Sequence, residues 1–308
     1  MVYRILTTTS SFGKVDPAPL ALLKAKGFEV TVNPYGKKLS VEESIGILKD
    51  YDGLIAGTES LNEEVLNAAA NLKYLCRLGA GMDNVDFSAA ERLNITVENT
   101  PSAHVDGVAE LTLGGVLSCL RSIANAHTNI TNGIWEKPMG SLLKGKTVGI
   151  IGLGRVGCRL VELLAPFKVN VLAFDLYENI EFAKKQNVTY VAIDELISAS
   201  DIITIHTPFS PEAKHMINAE FFTKAKRNLC LVNASRGGLV NEDALLEFLN
   251  SNTTASAYLD TFEEEPYKGP LSKMKNCTLT PHIGSYASEV RINMEMEAAQ
   301  NVIKFFKK

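Results

Sequence analysis

The chain has 308 residues, 46% hydrophobic and 21% charged, a mixture typical of globular proteins with room for two domains. Its formal net charge of −4 argues against a nucleic-acid partner, which requires a basic surface. No apolar run has the length of a membrane span and the N-terminus lacks the pattern of an export signal, so we expect a cytoplasmic protein without a membrane partner.

Strand-like and helix-like segments alternate through the first hundred residues. The helical patterns include "DPAPLALLKAKG" and "SLNEEVLNAAA". The strand patterns are "YRILTT", "FEVTVNP", "DGLIAGTE", "LKYLCRLG" and "ITVENT". Strands without polar alternation, separated by helices, are typical of a parallel sheet covered on both faces. This part of the chain therefore predicts an α/β layer.

A long helical stretch, "PSAHVDGVAELTLGGVLSCLRSIANAHTNI", separates this series from a second one. The second series of strands is "KTVGIIGLG", "NVLAFD", "VTYVAI", "DIITIHTP", "NLCLVNAS", "SAYLDTF" and "CTLTPHIG". A closing helical segment, "SYASEVRINMEMEAAQNVIKFFKK", is long enough to return to the first layer. We therefore predict an α/β fold of two domains with parallel sheets. Residues 100–286 are inserted into a discontinuous domain of residues 1–99 and 287–308.

Five cysteines are scattered along the chain, at positions 76, 119, 158, 230 and 277. Their odd number and the lack of any CxxC pair predict neither a disulfide framework nor a metal site. We expect reduced, buried thiols and no bound metal.

The segment "VGIIGLGRVGCRLVELL" carries the most specific local signal. Gly152, Gly154 and Gly157 form G-x-G-x-x-G between an apolar strand and a helical pattern. The first glycine makes the turn, the second lets the backbone approach a diphosphate, and the third lets helix pack on strand. Arg155 and Val156 lie within the same loop, where free N–H groups favour a diphosphate. We predict a Rossmann domain that binds a dinucleotide.

Asp175 ends the next strand, "NVLAFD", 18 residues after Gly157. This is close to the spacing of an acid that accepts hydrogen bonds from the adenosine ribose hydroxyls. Its charge would repel a 2′-phosphate, so NAD is favoured over NADP. The alternative is that Asp175 is only a cap or turn residue.

Three later segments, "LVNASRGGLVNEDAL", "YLDTFEEEP" and "LTPHIGS", resemble those of the D-isomer-specific 2-hydroxyacid dehydrogenases. The resemblance extends to "RLGAGMDNVD", "ENTPSAHVDGVAELTL" and "IHTPFSPEAKHMIN" and so covers nearly the whole chain. It implies two Rossmann-like domains, residues 1–99 and 287–308 binding substrate and residues 100–286 binding NAD.

The resemblance implies three catalytic residues: Arg236, Glu265 and His282. Imidazole titrates nearest neutrality and suits the proton transfer that accompanies hydride transfer. A carboxylate on the other ring nitrogen fixes the tautomer and stabilises imidazolium. A guanidinium binds the substrate carboxylate and polarises the carbonyl. Taken alone, Arg236 is typical of a surface arginine, Glu265 of a solvated acid and His282 of a core histidine.

The same resemblance implies the remaining contacts. The substrate would meet the backbone N–H groups of Ala80 and Gly81, together with Arg236 and His282. The cofactor would be lined by Gly152, Gly154, Arg155, Val156, Gly157, Asp175, His206, Thr207, Pro208, Ala234, Ser235, Arg236, Asp260, His282 and Gly284. Asp260 is assigned to the nicotinamide carboxamide, with a structural role at the strand end as the alternative. His104, His127 and His215 have no motif support.

Within the family, "GIWEKPMGSLLKGKTVGIIGLGRVG" is most similar to the phosphoglycerate dehydrogenases, which implies 3-phosphoglycerate and 3-phosphohydroxypyruvate as substrates and a role in serine biosynthesis. Lys137 and Arg77 are candidates for binding the phosphate. The sequence departs from the pattern at His104, Asp106 and Gly107, and ends about one helix after His282, so we expect no C-terminal regulatory domain. The alternatives are a reductase of glyoxylate, hydroxypyruvate or another short 2-keto acid, and a non-catalytic NAD-sensing protein.

The family usually forms homodimers through its cofactor domains. The segment from Pro101 to Thr128 is the candidate interface. The small-molecule acid and a second copy of the chain are the partners expected.

Overall fold

The computed structural model describes residues 2–307, which form two compact units. Unit 1 combines the segment up to His104 with the segment from Ser285 onward, and unit 2 spans Val105–Gly284. The predicted α/β class and the insertion of one domain into the other are confirmed.

The boundaries of the units lie at residues 104/105 and 284/285 rather than at 99/100 and 286/287. The first boundary differs because Thr100 is fixed in unit 1. Its Oγ1 accepts a hydrogen bond from the Gly79 N–H at 2.7 Å, and its own N–H donates to the Gly79 carbonyl at 3.2 Å. The predicted end points, Met1 and Lys308, lie outside the described residues.

Unit 1 has a parallel five-stranded sheet of order β2-β1-β3-β4-β5. Helices connect the strands, and α12 (Ser288–Phe306) brings the chain back to the unit. The elements are β1 (Arg4–Thr7), α1 (Ala18–Ala25), β2 (Glu29–Val32), α2 (Val41–Leu48), β3 (Gly53–Ala56), α3 (Glu63–Ala68), β4 (Tyr74–Arg77), α4 (Phe87–Arg92) and β5 (Thr96–Asn99).

Side-chain caps mark the first residues of helices in unit 1, and the burial of apolar residues stabilises the unit. Ser40 and Glu43 form a capping box at α2, and the Asn62 side chain caps α3. Central strand residues such as Leu54 and Leu75 are fully buried, and burying a leucine contributes about 1.5–3 kcal/mol.

Unit 2 has a parallel seven-stranded sheet of order β12-β11-β10-β9-β6-β7-β8. Its helices are α5 (Val105–Arg121), α6 (Ile123–Thr131), α7 (Arg155–Leu164), α8 (Ile180–Gln186), α9 (Ile193–Ala199), α10 (Ala219–Lys224) and α11 (Glu242–Ser251). Its strands are β6 (Thr147–Ile151), β7 (Asn170–Phe174), β8 (Val188–Tyr190), β9 (Ile202–Ile205), β10 (Cys230–Asn233), β11 (Ser256–Leu259) and β12 (Cys277–Leu279).

The order of this sheet reverses at β6. The chain first builds β7 and β8 on one side of β6, and then returns to place β9 on the other side. Ligands of open α/β sheets bind at the carboxyl ends of the strands where the order reverses. The topology therefore marks the loops after β6 and β9 as the candidate site.

The long helix predicted from residue 101 is wrong in two respects. It begins at Val105, and Ser122 breaks it into α5 and α6 with a bend of 63°. Ser122 adopts the left-handed conformation (φ +48°), which an uninterrupted helix cannot contain. Among residues 2–307 no single helix is long and apolar enough to cross a membrane, although α5 and α6 counted together meet those criteria.

Candidate active site

A side chain would meet different surroundings at each of the three glycines after β6. Gly152 has φ +95°, and a Cβ there would lie 2.8 Å from the carbonyl carbon of His206. A Cβ on Gly157 would lie 2.4 Å from the Gly152 oxygen, so α7 can pack on the loop only through a glycine. A Cβ on Gly154 would meet no atom within 4 Å. The loop therefore has open space beside Gly154.

The same loop presents the N-terminus of α7. Gly154 is the N-cap residue of this ten-residue helix, and no side chain caps it. The first N–H groups of an uncapped helix are unpaired and carry the positive end of its dipole. Backbone N–H groups next to open space suit the diphosphate of a dinucleotide. The loop thus fits the predicted cofactor.

Asp175 follows β7 and binds the glycine loop directly. Its Oδ2 accepts a hydrogen bond from the Leu153 N–H at 2.7 Å, and its Oδ1 accepts one from the Tyr177 N–H at 2.9 Å. The turn role considered as an alternative is therefore present. Each carboxylate oxygen has a second lone pair, so both can still accept ribose hydroxyls. The contact with ribose stays a prediction.

Replacing Asp175 with serine should weaken NADH binding and relax discrimination against NADPH. The change removes a charged acceptor and the repulsion of a 2′-phosphate, an effect of about 1–3 kcal/mol. Fluorescence titration with both cofactors measures the ratio of dissociation constants. Glu178→Ser, an exposed acid three residues away, is the matched control for charge. Equal affinities for NADH and NADPH in the unmodified protein would contradict the prediction.

His206 directly follows β9 and lies opposite the glycine loop. Its two ring nitrogens are buried and have no hydrogen-bond partner among residues 2–307. Burial lowers its pKa to about 4, so the imidazole is neutral at pH 7. Unpaired buried polar atoms cost about 1–3 kcal/mol each, a cost that a hydrogen-bonding ligand can offset. This supports the prediction that the segment from His206 to Pro208 lines the cofactor.

Arg236 stands in a turn shaped by Asn233 at the end of β10. The Asn233 Oδ1 accepts hydrogen bonds from the backbone and the hydroxyl of Ser235, and its Nδ2 donates to the Arg236 carbonyl at 2.8 Å. Only glycine fits at position 237, since a Cβ there would lie 1.7 Å from the Phe262 oxygen. This close approach brings the arginine turn against the segment that follows β11.

Two acids of the cluster after β11 lie beside two different histidines. Both Glu265 oxygens lie 3.0 Å from the His282 Nδ1, and Oε1 also accepts the Phe262 N–H at 3.2 Å. The neighbouring Glu263 lies 3.0 Å from the Nε2 of His215 instead. The side chains of His282 and Glu265 are 43% and 39% exposed, so the pair is open to a ligand. A carboxylate at Nδ1 leaves Nε2 as the nitrogen available for proton transfer.

Asp260 holds the loop that carries His282. Its Oδ1 accepts hydrogen bonds from the Thr280 hydroxyl at 2.5 Å and the Ile283 N–H at 2.8 Å, and its Oδ2 accepts the Gly284 N–H at 2.8 Å. Its full burial raises the pKa of the carboxyl group, and these hydrogen bonds oppose that rise. His282 itself has φ +55°, so the loop is fixed on both sides of a left-handed residue. The structural role of Asp260 is thus present, and its contact with the cofactor stays a prediction.

The glycine-containing loop of unit 1 follows β4. Gly79 has φ +127°, and the Ala80 carbonyl accepts a hydrogen bond from the Asn99 amide at 2.8 Å. Within residues 2–307 the N–H groups of Ala80 and Gly81 donate to no other group. Two adjacent unpaired N–H groups fit the predicted role in binding a carboxylate.

The structure brings most of the predicted residues of unit 2 to the carboxyl ends of its strands. Arg155 and Val156 open α7, Ala234 and Ser235 follow β10, and Gly284 lies against Asp260. The proposed phosphate ligands behave differently. The Arg77 Nη1 donates to the Leu78 carbonyl at 2.6 Å beneath the Gly79 loop, and Lys137 is exposed between α6 and β6.

Two sets of contacts at the site were not predicted from the sequence. Asn233 and Thr280 shape the loops of Arg236 and His282, and His215 binds Glu263. An asparagine that ends a strand three residues before an arginine was a readable turn signal. The pairing of His215 had no such signal, since it depends on a contact 48 residues away in sequence.

Known proteins match both the sequence and the fold. Residues 113–284 match the family described as D-isomer specific 2-hydroxyacid dehydrogenase, NAD binding domain. A D-3-phosphoglycerate dehydrogenase of Archaeoglobus fulgidus is 36% identical over 92% of this chain and 54% of its own length. A glyoxylate reductase of Thermofilum pendens is 37% identical over 87% of this chain and 82% of its own. This chain thus spans about half the length of that phosphoglycerate dehydrogenase.

The solved structure of an NAD⁺-bound 3-phosphoglycerate dehydrogenase from Entamoeba histolytica has a TM-score of 0.85 and 27% identity, covering 100% of this chain and 96% of that one. The match of unit 2 to a family of NAD-binding domains confirms NAD as the cofactor, in agreement with the glycine loop described above. The family expected from the motifs is confirmed as well: this chain belongs to the D-isomer-specific 2-hydroxyacid dehydrogenases.

Proposed function

We propose that this protein interconverts a D-2-hydroxy acid and its 2-keto acid with NAD. The observation that carries the proposal is the His282–Glu265 pair, with both carboxylate oxygens 3.0 Å from Nδ1 and the imidazole partly exposed. A structural core histidine would be buried and would need no open face. An open histidine held by a carboxylate suits acid–base chemistry.

The proposed reaction moves one hydride and one proton. The cofactor, held by the glycine loop after β6, would supply the hydride acceptor for the carbon that bears the hydroxyl group. The Nε2 of His282 takes the hydroxyl proton. The Nδ1–H of His282 donates to Glu265, whose charge stabilises the imidazolium that forms. In the reverse direction Nε2 returns the proton to the developing alkoxide.

Arg236 supplies the positive charge of the proposed site. Its Nη1 donates to the Ser235 carbonyl at 2.7 Å, which limits the directions that the guanidinium can take. A guanidinium can bind a carboxylate through two parallel hydrogen bonds and withdraw electrons from the adjacent carbonyl. We therefore assign it to the carboxylate and carbonyl of the 2-keto acid.

Two substrate classes remain candidates. The stretch from Gly133 to Gly157 supports 3-phosphohydroxypyruvate and 3-phosphoglycerate, and with them a role in serine biosynthesis. A specific observation favours the second class, short unphosphorylated 2-keto acids. Neither proposed phosphate ligand is arranged for that task, since the Arg77 Nη1 donates to the Leu78 carbonyl beneath the Gly79 loop and Lys137 is exposed in unit 2.

A substrate panel tests the proposal. The protein should oxidise NADH in the presence of at least one acid among phosphohydroxypyruvate, hydroxypyruvate, glyoxylate and pyruvate. The product should have the D configuration, as determined by chiral chromatography. NADH binding without any turnover would instead support the alternative of an NAD-sensing, non-catalytic protein.

A homodimer through unit 2 is the assembly we propose. Large apolar side chains of this unit are exposed around α6 and the segment after it, at Ile123, Ile130, Ile134, Trp135, Met139 and Leu142. Contiguous exposed apolar residues are typical of protein–protein interfaces. The mass measured by light scattering should therefore be twice that of the chain.

A further inference from the structure

Glu59 is a buried carboxylate that the proposed mechanism does not use. It follows β3 in unit 1 and is 2% exposed. Its Oε1 accepts hydrogen bonds from the Thr8 hydroxyl and from the Gly57 N–H. Among residues 2–307 these uncharged groups are its hydrogen-bond donors, and it has no ion pair. A buried charge without a counter-ion acts over a longer distance than an exposed one.

The Glu59 loop is joined to the loop predicted to bind the substrate carboxylate. The Nδ2 of Asn84 donates to the Glu59 carbonyl at 2.6 Å and to the Gly57 carbonyl at 3.3 Å. Asn84 closes the segment that begins at Gly79 and contains Ala80 and Gly81. Because β3 and β4 are neighbouring parallel strands, the Glu59 loop and this segment lie side by side at the carboxyl edge of the unit 1 sheet.

The side-chain atoms nearest to Gly57 are oxygens. A Cβ on Gly57 would lie 3.0 Å from the Glu59 Oε2 and 3.1 Å from the Thr9 Oγ1. The Thr9 hydroxyl is buried and finds no hydrogen-bond partner in the part of the chain that the structure describes. A carboxylate accepts a hydrogen bond, and a hydroxyl can donate or accept one, so together they match a substrate hydroxyl group.

The charges at this edge of the unit 1 sheet suit one anionic group. The Arg77 guanidinium lies beneath the loop, since a Cβ on Gly79 would lie 1.7 Å from its Nη1. The nearby Lys37 is paired with Glu43 at 2.8 Å. The charge of this guanidinium favours the substrate carboxylate, whereas a second anion would meet Glu59.

We propose that Glu59 determines substrate specificity, so that the enzyme prefers 2-keto acids with an uncharged hydroxyl on the third carbon and rejects those with a phosphate there. This inference rests on the proposed dehydrogenase function and narrows its substrate class. Rejection arises from like-charge repulsion, which is an effective way to discriminate between similar ligands. Glu59 acts on the substrate by charge and takes no part in the transfer of hydride or proton.

The test compares kcat/KM with NADH for hydroxypyruvate and 3-phosphohydroxypyruvate. The unmodified protein should prefer hydroxypyruvate by about tenfold or more. Glu59→Gln keeps the size and an acceptor for Thr8 and Gly57, and should reduce this preference at least fivefold through a gain on the phosphorylated acid. The matched control is Glu64→Gln, an exposed acid of α3, which should leave the preference unchanged.

Preference of the unmodified protein for the phosphorylated acid would overturn the inference, and so would a preference in Glu59→Gln equal to that of Glu64→Gln. If no 2-keto acid is reduced, the proposed function fails. The role of Glu59 in specificity is then tested by ligand binding. In that case D-glycerate and 3-phosphoglycerate are titrated into the NADH-loaded proteins, with NADH fluorescence as the signal. The unmodified protein should bind D-glycerate more tightly, and Glu59→Gln should narrow the difference.

Discussion

Glu265→Gln should lower kcat/KM for 2-keto acid reduction by about tenfold or more. The Nε2 of His282 must deliver the proton to the developing alkoxide, and the carboxylate 3.0 Å from Nδ1 holds the ring and balances its charge. Glutamine keeps the size and an acceptor for Nδ1 but removes the charge. The measurement is kcat/KM in both directions of the reaction.

The structure provides a matched control for this experiment. Glu263 is two residues away and pairs with His215, so Glu263→Gln removes the same charge from the same cluster without touching His282. The kcat/KM of this variant should stay unchanged. His282→Ala should lower turnover by about 100- to 10,000-fold at every pH, the usual contribution of a general acid–base group. All three variants should bind NADH normally, and an unchanged kcat/KM in Glu265→Gln would contradict the assignment.

Gly154→Val should weaken NADH binding roughly 100-fold, which is about 2.7 kcal/mol, with little change in stability. Gly154 has φ −78° and ψ −158°, a conformation that valine adopts, and a Cβ there meets no protein atom within 4 Å. The fold therefore has room for the side chain. The added atoms would occupy the open space beside the N-terminus of α7, where we expect the diphosphate.

Gly157→Ala is the companion variant, and we expect it to reduce folding stability instead of obstructing the cofactor. Its Cβ would lie 2.4 Å from the Gly152 oxygen, so we expect a loss of about 1–3 kcal/mol in the free energy of unfolding. Urea denaturation and NADH titration together separate the two effects. Normal NADH affinity in a folded Gly154→Val protein would show that the diphosphate does not lie against this loop.

Much of unit 2 could be predicted because its signals are local. Gly152, Gly154 and Gly157 lie within six residues of one another, and the turn, the open space and the helix packing all depend on the backbone there. The strands β6 and β7 were readable for the same reason, as short apolar runs next to turn residues. Both signals precede any contact between distant segments.

Local patterns could not decide which partners the polar side chains choose. Three consecutive acids look alike in sequence, yet Glu265 binds His282 and Glu263 binds His215 because the segment after β11 turns its side chains in different directions. Asp260 likewise depends on the pairing of β11 with β12, which brings the loop from Thr280 to Gly284 to its carboxylate.

The sequence by itself determined the order of elements, the glycine loop and the family, since each depends on residue type and spacing along the chain. Only the tertiary structure decided where α5 ends, at the left-handed Ser122, and that the acid after β3 is buried. Glu59 is found in an ordinary polar run, "GTES", which predicts exposure. It is buried because Thr8, 51 residues earlier, donates to it from the neighbouring strand end, and a contact of that range forms only when β1 and β3 pair.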